Sequence, residues 1–470
     1  MKMKPLFIAL AATAAFSANS HADSMAEDMT FKRISSFAVS NNLPEGTDWA
    51  TETSPEIIAA SEDGNTIMYS DSPLGGIGFV DYTDATAPVP AGFFKTDGEP
   101  TAVATAAANV LAGVNTSESY VAPAGHIIAV SIADQSEVVR CDVGGQPDSL
   151  AVSPDGAFVA VAIENERDED LNDGELPQLP AGTVTIFSLQ DGAPVCDSKK
   201  VVEMTGLAEV GGTDPEPEFV DFNSKNEIVV TLQENNHIAI IDAASGEVIS
   251  HFSAGSVDLE NVDLDEEGAL TFDGTQLDRA REPDAVQWLD DERFVTANEG
   301  DYKGGSRGFT IFDKSGTVLF ESGLSFEYKV AMAGHYPEKR SGNKGAEPEG
   351  LEVGTFNGQQ YIFVMSERGS VIGVYKDTGG EPEFVQLLPS GVGPESAVAI
   401  GSRNLLISAN EKDFEAKGPR AHVMAFEMSA GAATYPQIES VMVDGRPIGW
   451  GALSGMVADP EKAGTLYAVN

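Results

Sequence analysis

Residues 147–164, PDSLAVSPDGAFVAVAIE, decide the fold. SLAVS (149–153) reads as one strand, SPDG (153–156) as its hairpin turn and AFVAVAIE (157–164) as the returning strand. After an acidic loop, TVTIFSLQDG (183–192) gives a third strand with its turn, and a final edge strand ends at Cys196. The unit recurs along the chain. Seven times a proline is followed by a polar, usually acidic residue: Pro55-Glu56, Pro100-Thr101, Pro147-Asp148, Pro217-Glu218, Pro283-Asp284, Pro348-Glu349 and Pro394-Glu395. Third strands with Gly-containing turns follow in later units, as in HIAIIDAASG (237–246), FTIFDKSG (309–316), VIGVYKDTGG (371–380) and HVMAFEMSAG (422–431).

The proline pairs lie 45, 47, 70, 66, 65 and 46 residues apart. Four strands need about 40–50 residues, so the three long units carry loop insertions. No apolar periodicity of a helix stands out beyond the first residues. An all-β, seven-bladed β-propeller over residues 31–430 is expected. FKRISSFAVS (31–40) has the length and position to complete the last blade, because a closed ring removes both sheet edges. ESVMV (439–443) is the rival for that place.

The two ends read differently. Lys2, Lys4, the apolar run PLFIALAATAAF and Ser20-His21-Ala22 mark residues 1–22 as a signal peptide, which predicts a periplasmic or extracellular protein. SGMVADPEKAGTLYAVN (454–470) copies the strand–turn–strand start of a blade without its proline. Residues 431–470 are therefore expected to be the truncated start of a second β domain.

With 28 basic and 74 acidic side chains, the chain has a net charge of −46. Such a surface repels phosphate backbones and anionic lipid, which excludes nucleic acid as a partner, and no later stretch is long and apolar enough to span a membrane. Cations suit this field. Cys141 and Cys196, near the ends of neighbouring units, are candidates for a disulfide.

AREPDAVQWLDDERFVTANEGD (280–301), RSGNKGAEPEGLEV (340–353) and GPESAVAIGSRNLLISANEKD (393–413) resemble the choice-of-anchor I family of secreted bacterial propellers, often labelled alkaline-phosphatase-like. The likeness spans nearly all of residues 31–430. WGALSGMVADPEKAGTLYAVN (450–470) is similar to the opening of the "esterase-like activity of phytase" domain. The resemblance implies a propeller followed by a phytase-like domain, and hydrolysis of a small phosphoester or ester; the alternative is a non-catalytic binding or scaffold propeller whose catalytic domain is missing from this fragment. The resemblance carries over no catalytic residues, so the site is argued from chemistry.

A second acidic position falls at the end of five of the second strands: Glu166, Glu234, Glu299, Glu367 and Glu411. In a propeller the entry of the first strand and the exit of the second share one face. The acids should then ring one channel mouth. Hard cations take six to eight oxygen ligands, and Asp148, Glu218, Asp284, Glu349, Glu367, Glu395 and Glu411 could supply them, with Asn165, Asn235, Asn298 and Asn410 alongside. Calcium is favoured over zinc, since histidines are few and free thiolates absent. The bland alternative is that each acid caps its own blade. Two acidic loops, Asp168–Asp173 and Asp263–Gly268, start like calcium loops, but Leu179 and Gly274 stand where a bidentate glutamate belongs.

The window 279–344 holds ten of the 28 basic residues. Lys303, Arg307, Arg340 and Lys344 are candidate phosphate contacts, and Glu299, Asp301 and His335 candidate catalytic groups, with His335 as general acid. The alternative is a set of ion pairs fastening two long loops. Gly304-Gly305-Ser306-Arg307-Gly308 fits G-x-S-x-G but lies in a loop leading into a strand, so it reads as a turn.

Overall fold

The computed structural model describes residues 29–433, 435 and 437–469. The signal-peptide assignment lies outside them. Seven antiparallel sheets are arranged with their first strands adjacent in ring order, and the ring closes where Pro394–Ile400 lies beside Pro55–Ala60. The seventh blade is completed by Met29–Ala38, which pairs with His422–Ala430; the rival segment contributes only the two-residue bridge Met442–Val443 to Arg446–Pro447. The terminal strand thus joins the two ends of the chain in one sheet and leaves no gap between the first and last blades.

Seven apolar clusters fill the seven seams between blades, each built from alternate side chains of two facing sheets. At 2 % exposure Cys141, in the outer strand of blade 2, is disulfide-bonded to Cys196 at the rim of blade 3.

The three long units carry their extra residues on a single face. Second-to-third and fourth-to-first connections emerge at the mouth where the proline pairs sit, and the insertions are of these two kinds. They include the acidic loop 164–182, the hairpin Ser256–Val262 with Gly274–Ala280, the loop 298–308 and the helix Ser325–Met332 with its following loop. The body is all-β as expected, and this helix is the one α-helix among the described residues. Its eight residues bury Phe326, Glu327, Val330 and Ala331 on one side, too short a stripe to show as periodicity. Phe272, Ala331 and Tyr336 give the insertions a small core of their own.

Gly455–Ala458 and Leu466–Val469 form an isolated hairpin with exposed Met456, Val457, Leu466 and Tyr467. Among the described residues, no helix is long and apolar enough to cross a membrane.

Candidate functional site

Five of the seven first strands begin at their proline, which has no N–H to give the ladder; blade 2 starts at Glu99, just before Pro100, and blade 5 at Val286, three residues after Pro283. In six of the seven blades the register shifts immediately after that proline. Such a bulge turns two successive side chains toward the axis instead of one. The residues after the prolines, Glu56, Thr101, Asp148, Glu218, Asp284, Glu349 and Glu395, all line a single cavity of about 440 Å3. From the second-strand ends Glu166, Glu299, Glu367 and Glu411 reach the same space. The predicted acidic ring is present.

Twelve carboxylates line this cavity and one guanidinium, that of Arg368. Burial and mutual repulsion push nine of these acids toward their neutral forms. Glu56 and Glu367 rise to about 8 and Asp148 to about 7, while Glu218, Asp284, Glu349 and Glu395 are pushed well above the carboxylate range, desolvation leading in each case. Two trios come close enough to share an ion: Asp284, Glu299 and Glu349, and Glu349, Glu367 and Glu395, with the ligand oxygens of each trio within 4.8 Å of one another. In the second trio the Oε2 atoms of Glu349 and Glu367 are buried without a hydrogen-bond partner.

Glu234 is turned away. It pairs with Arg167 at 2.9 Å, and Arg167 also holds Glu216 at 3.2 Å and bonds Asp301 of the loop across the mouth. Burial opposes the charge on Asp301, yet Arg167 and Lys344 hold it below the usual range. Lys344 Nζ lies 2.6 Å from Glu299 and 3.5 Å from Asp301. Burial works against its charge too, but Glu299 raises its pKa overall.

The other predicted cations do not gather at the ring. Arg307 is fully buried beneath the insertions, donating to Ser341 O (2.6 Å), Gln276 Oε1 (3.1 Å) and Asp263 O (3.2 Å) and facing Glu327. It bolts the hairpin, the helix and their loop together and cannot clamp a phosphate. Lys303 is exposed on Glu175 (2.9 Å), over the ring of Tyr302. Arg340 pairs with Glu347 (2.9 Å). His335, paired through Nδ1 with Gly369 O, lines a separate groove beside Trp450 and Tyr435. It is not placed to protonate a leaving group at the ring. Ser306 is buried, in keeping with a turn.

The asparagines are not ligands. Asn165, Asn235 and Asn410 accept the backbone N–H of Gln146, Glu216 and Gly391, and Asn298 bonds Thr296 and Thr310. Each fastens backbone or strand instead of facing the channel. In the two acidic loops, Asp263 accepts from Thr271 N and Ser341 Oγ, and Asp168 accepts from Asp170 N. Sequence reasoning missed Glu164, Arg368 and Arg167. The last had a signal, as the only basic residue between Arg140 and Lys199.

The family model for the choice-of-anchor I domain matches residues 56–304 and 302–380. The chain belongs to the choice-of-anchor I family. The matched segments begin at the first ring acid, Glu56, and include both Glu349 and Glu367, so most of the site lies within the family's own domain; they give nothing for the hairpin at 455–469. No curated protein matches this choice-of-anchor I propeller.

Among solved structures it is similar to a virginiamycin B lyase from Staphylococcus aureus, with 12% identity over 85% of this chain and 99% of that one and a TM-score of 0.51. It is also similar to the RRP9 WD40 repeats, with 9% identity over 86% and 98% and a TM-score of 0.51. The propeller domain of Cps50 (Swd1) from Myceliophteria thermophila matches with 8% identity over 85% and 100% and a TM-score of 0.50. At these identities the likeness establishes the fold alone.

Proposed function

We propose that this is a secreted propeller that binds a hard divalent cation, calcium, in its acidic channel mouth and through it engages a small anionic ligand. The observation that carries the reading is the imbalance of twelve carboxylates against one guanidinium. So many like charges in a confined space are either protonated or neutralised by a cation. The donors fit calcium: all are oxygens, and Glu349 and Glu367 point unpartnered buried oxygens into the space. A bound cation would supply a Lewis acid that polarises a phosphoryl or acyl oxygen.

Hydrolysis of a phosphoester or ester is the second reading. It is favoured by Lys344, the one predicted phosphate contact that touches an acid lining the mouth. A phytase-like character for the hairpin at 455–469 belongs to the same proposal and rests on the sequence resemblance.

The test is calcium titration by calorimetry, with turnover of p-nitrophenyl phosphate and p-nitrophenyl acetate measured in calcium and after chelation. Calcium binding with turnover lost on chelation supports both readings. Binding without turnover leaves a cation-dependent binding module. Folded protein that takes up no calcium overturns the proposal.

A further inference from the structure

We infer that the ring takes two cations in order, sharing Glu349, and that Lys344 is a built-in competitor for the second. The inference rests on the cation-binding reading and goes beyond it in number, order and control. In each trio the ligand oxygens lie within 4.8 Å of one another. That is twice a calcium–oxygen distance of about 2.4 Å, so three carboxylates can meet one ion on either side of Glu349.

The two trios differ in what an arriving ion must displace. Glu367 is 3 % exposed; Arg368 takes its Oε1 at 2.7 Å and leaves Oε2 unpartnered, as is Oε2 of Glu349. An ion among Glu349, Glu367 and Glu395 therefore has no ammonium or amide donor to displace from Oε2 of Glu349 or Glu367. Glu299, in contrast, is engaged at both oxygens. Lys344 Nζ lies 2.6 Å from Oε1, and Gln233 Nε2 donates to Oε2 at 2.8 Å.

An ion among Asp284, Glu299 and Glu349 must compete with an ammonium already in place. Lys344 has somewhere to go, because Asp301 is 3.5 Å away and Glu347 4.0 Å. The first ion thus enters beside Glu367. The second enters beside Glu299 with lower affinity, against the lysine and against the charge of the first.

The experiment is calorimetric titration of the full chain with calcium chloride. Wild type is compared with Glu395→Gln, Asp284→Asn, Lys344→Met and Lys344→Arg, each first checked by thermal unfolding in chelator. Wild type is expected to show two classes of site. Glu395→Gln should lose the tight class and Asp284→Asn the weak one. Lys344→Met should tighten the weak class about tenfold, the weight of one charge-assisted hydrogen bond, and Lys344→Arg, which keeps the charge, should not. A single class indifferent to Asp284→Asn, or a weak class that loosens in Lys344→Met, would overturn the inference while leaving one cation in the mouth. No calcium uptake by folded wild type would remove the parent reading with it.

Discussion

Blades 1 to 3 and blades 4 to 6 solve the same seam problem in different ways. Four residues after the proline, the first three blades carry Ala59, Ala104 and Ala151, whereas the next three carry Asp221, Gln287 and Glu352. Each of these polar side chains accepts the backbone N–H one position further along in the following blade. Trp288 donates to Asp221, Val353 to Gln287 and Ala399 to Glu352, all at 2.7 Å. Three consecutive seams are pinned at the axis by one repeated device, and Gln287 links two of them by donating to Glu352 at 3.0 Å.

The plain side instead has a covalent pin at its rim, Cys141 to Cys196, and its ring position in blade 2 is the uncharged Thr101. Both carboxylate trios lie in blades 5 to 7, all reached by the pinned seams. Rigidity at the axis and the cation-binding geometry occupy the same side. Gathering like charges is costly, and the bolts and pins on that side offset the cost.

The largest effect should come from unbolting the insertions. Arg307→Met leaves Glu327 buried without its cation, and about 3–5 kcal/mol of stability should be lost. On the plain side Arg140, an exposed partner of Glu137 and Asp97, should lose no more than about 1 kcal/mol on the same substitution. Chemical denaturation of both variants measures the contrast, and equal losses would break it.

Next comes the rim. Opening the bridge across a 55-residue separation with Cys141→Ser and Cys196→Ser should remove about 4 kcal/mol in the chain-entropy model, with blades 2 and 3 losing hydrogen-exchange protection first. Smaller is the loss of one axial pin: Glu352→Ala strands the Ala399 N–H and should cost about 1–3 kcal/mol by the same denaturation assay.

The last perturbation, pH, changes no residue. Burial raises Glu56 and Glu367 to about 8 in the folded protein, from an ordinary value of 4.5. Between those values the folded state holds protons that the unfolded chain has released, so stability falls as pH rises from about 5 to 8. Melting curves in chelator should show that fall, and calcium should flatten it. A melting temperature that climbs with pH in chelator would contradict the assignment.

The comparison also explains what could be read from residues alone. The proline–acid repeat is local, and once seven blades are inferred its geometry follows from topology, so the ring and its place at one mouth were legible. The same logic picked FKRISSFAVS (31–40) to close the last blade, and the strand that does so is Met29–Ala38. What failed depends on contacts distant along the chain. Arg307 stands near Glu299 in sequence, but its partners Glu327 and Asp263 lie 20 and 44 residues away, across two insertions. His335 follows the helix and is carried to an outer groove. The asparagines at the strand ends look like ligands by composition, yet a side-chain amide that can accept a neighbouring N–H serves to hold the turn. Arg167 was visible as a lone cation in an acidic loop, but three of its four carboxylate partners come from two other blades.

The central claim is that a hard cation belongs on the Glu349 side of the channel and not on the side of Asp148 and Thr101. Anomalous diffraction from crystals soaked in calcium tests this directly. The account predicts a peak enclosed by Glu349, Glu367 and Glu395, joined at higher calcium by one at Asp284, Glu299 and Glu349. A channel mouth with no peak, or one whose only peak lies against Asp148 and Glu218, would contradict it.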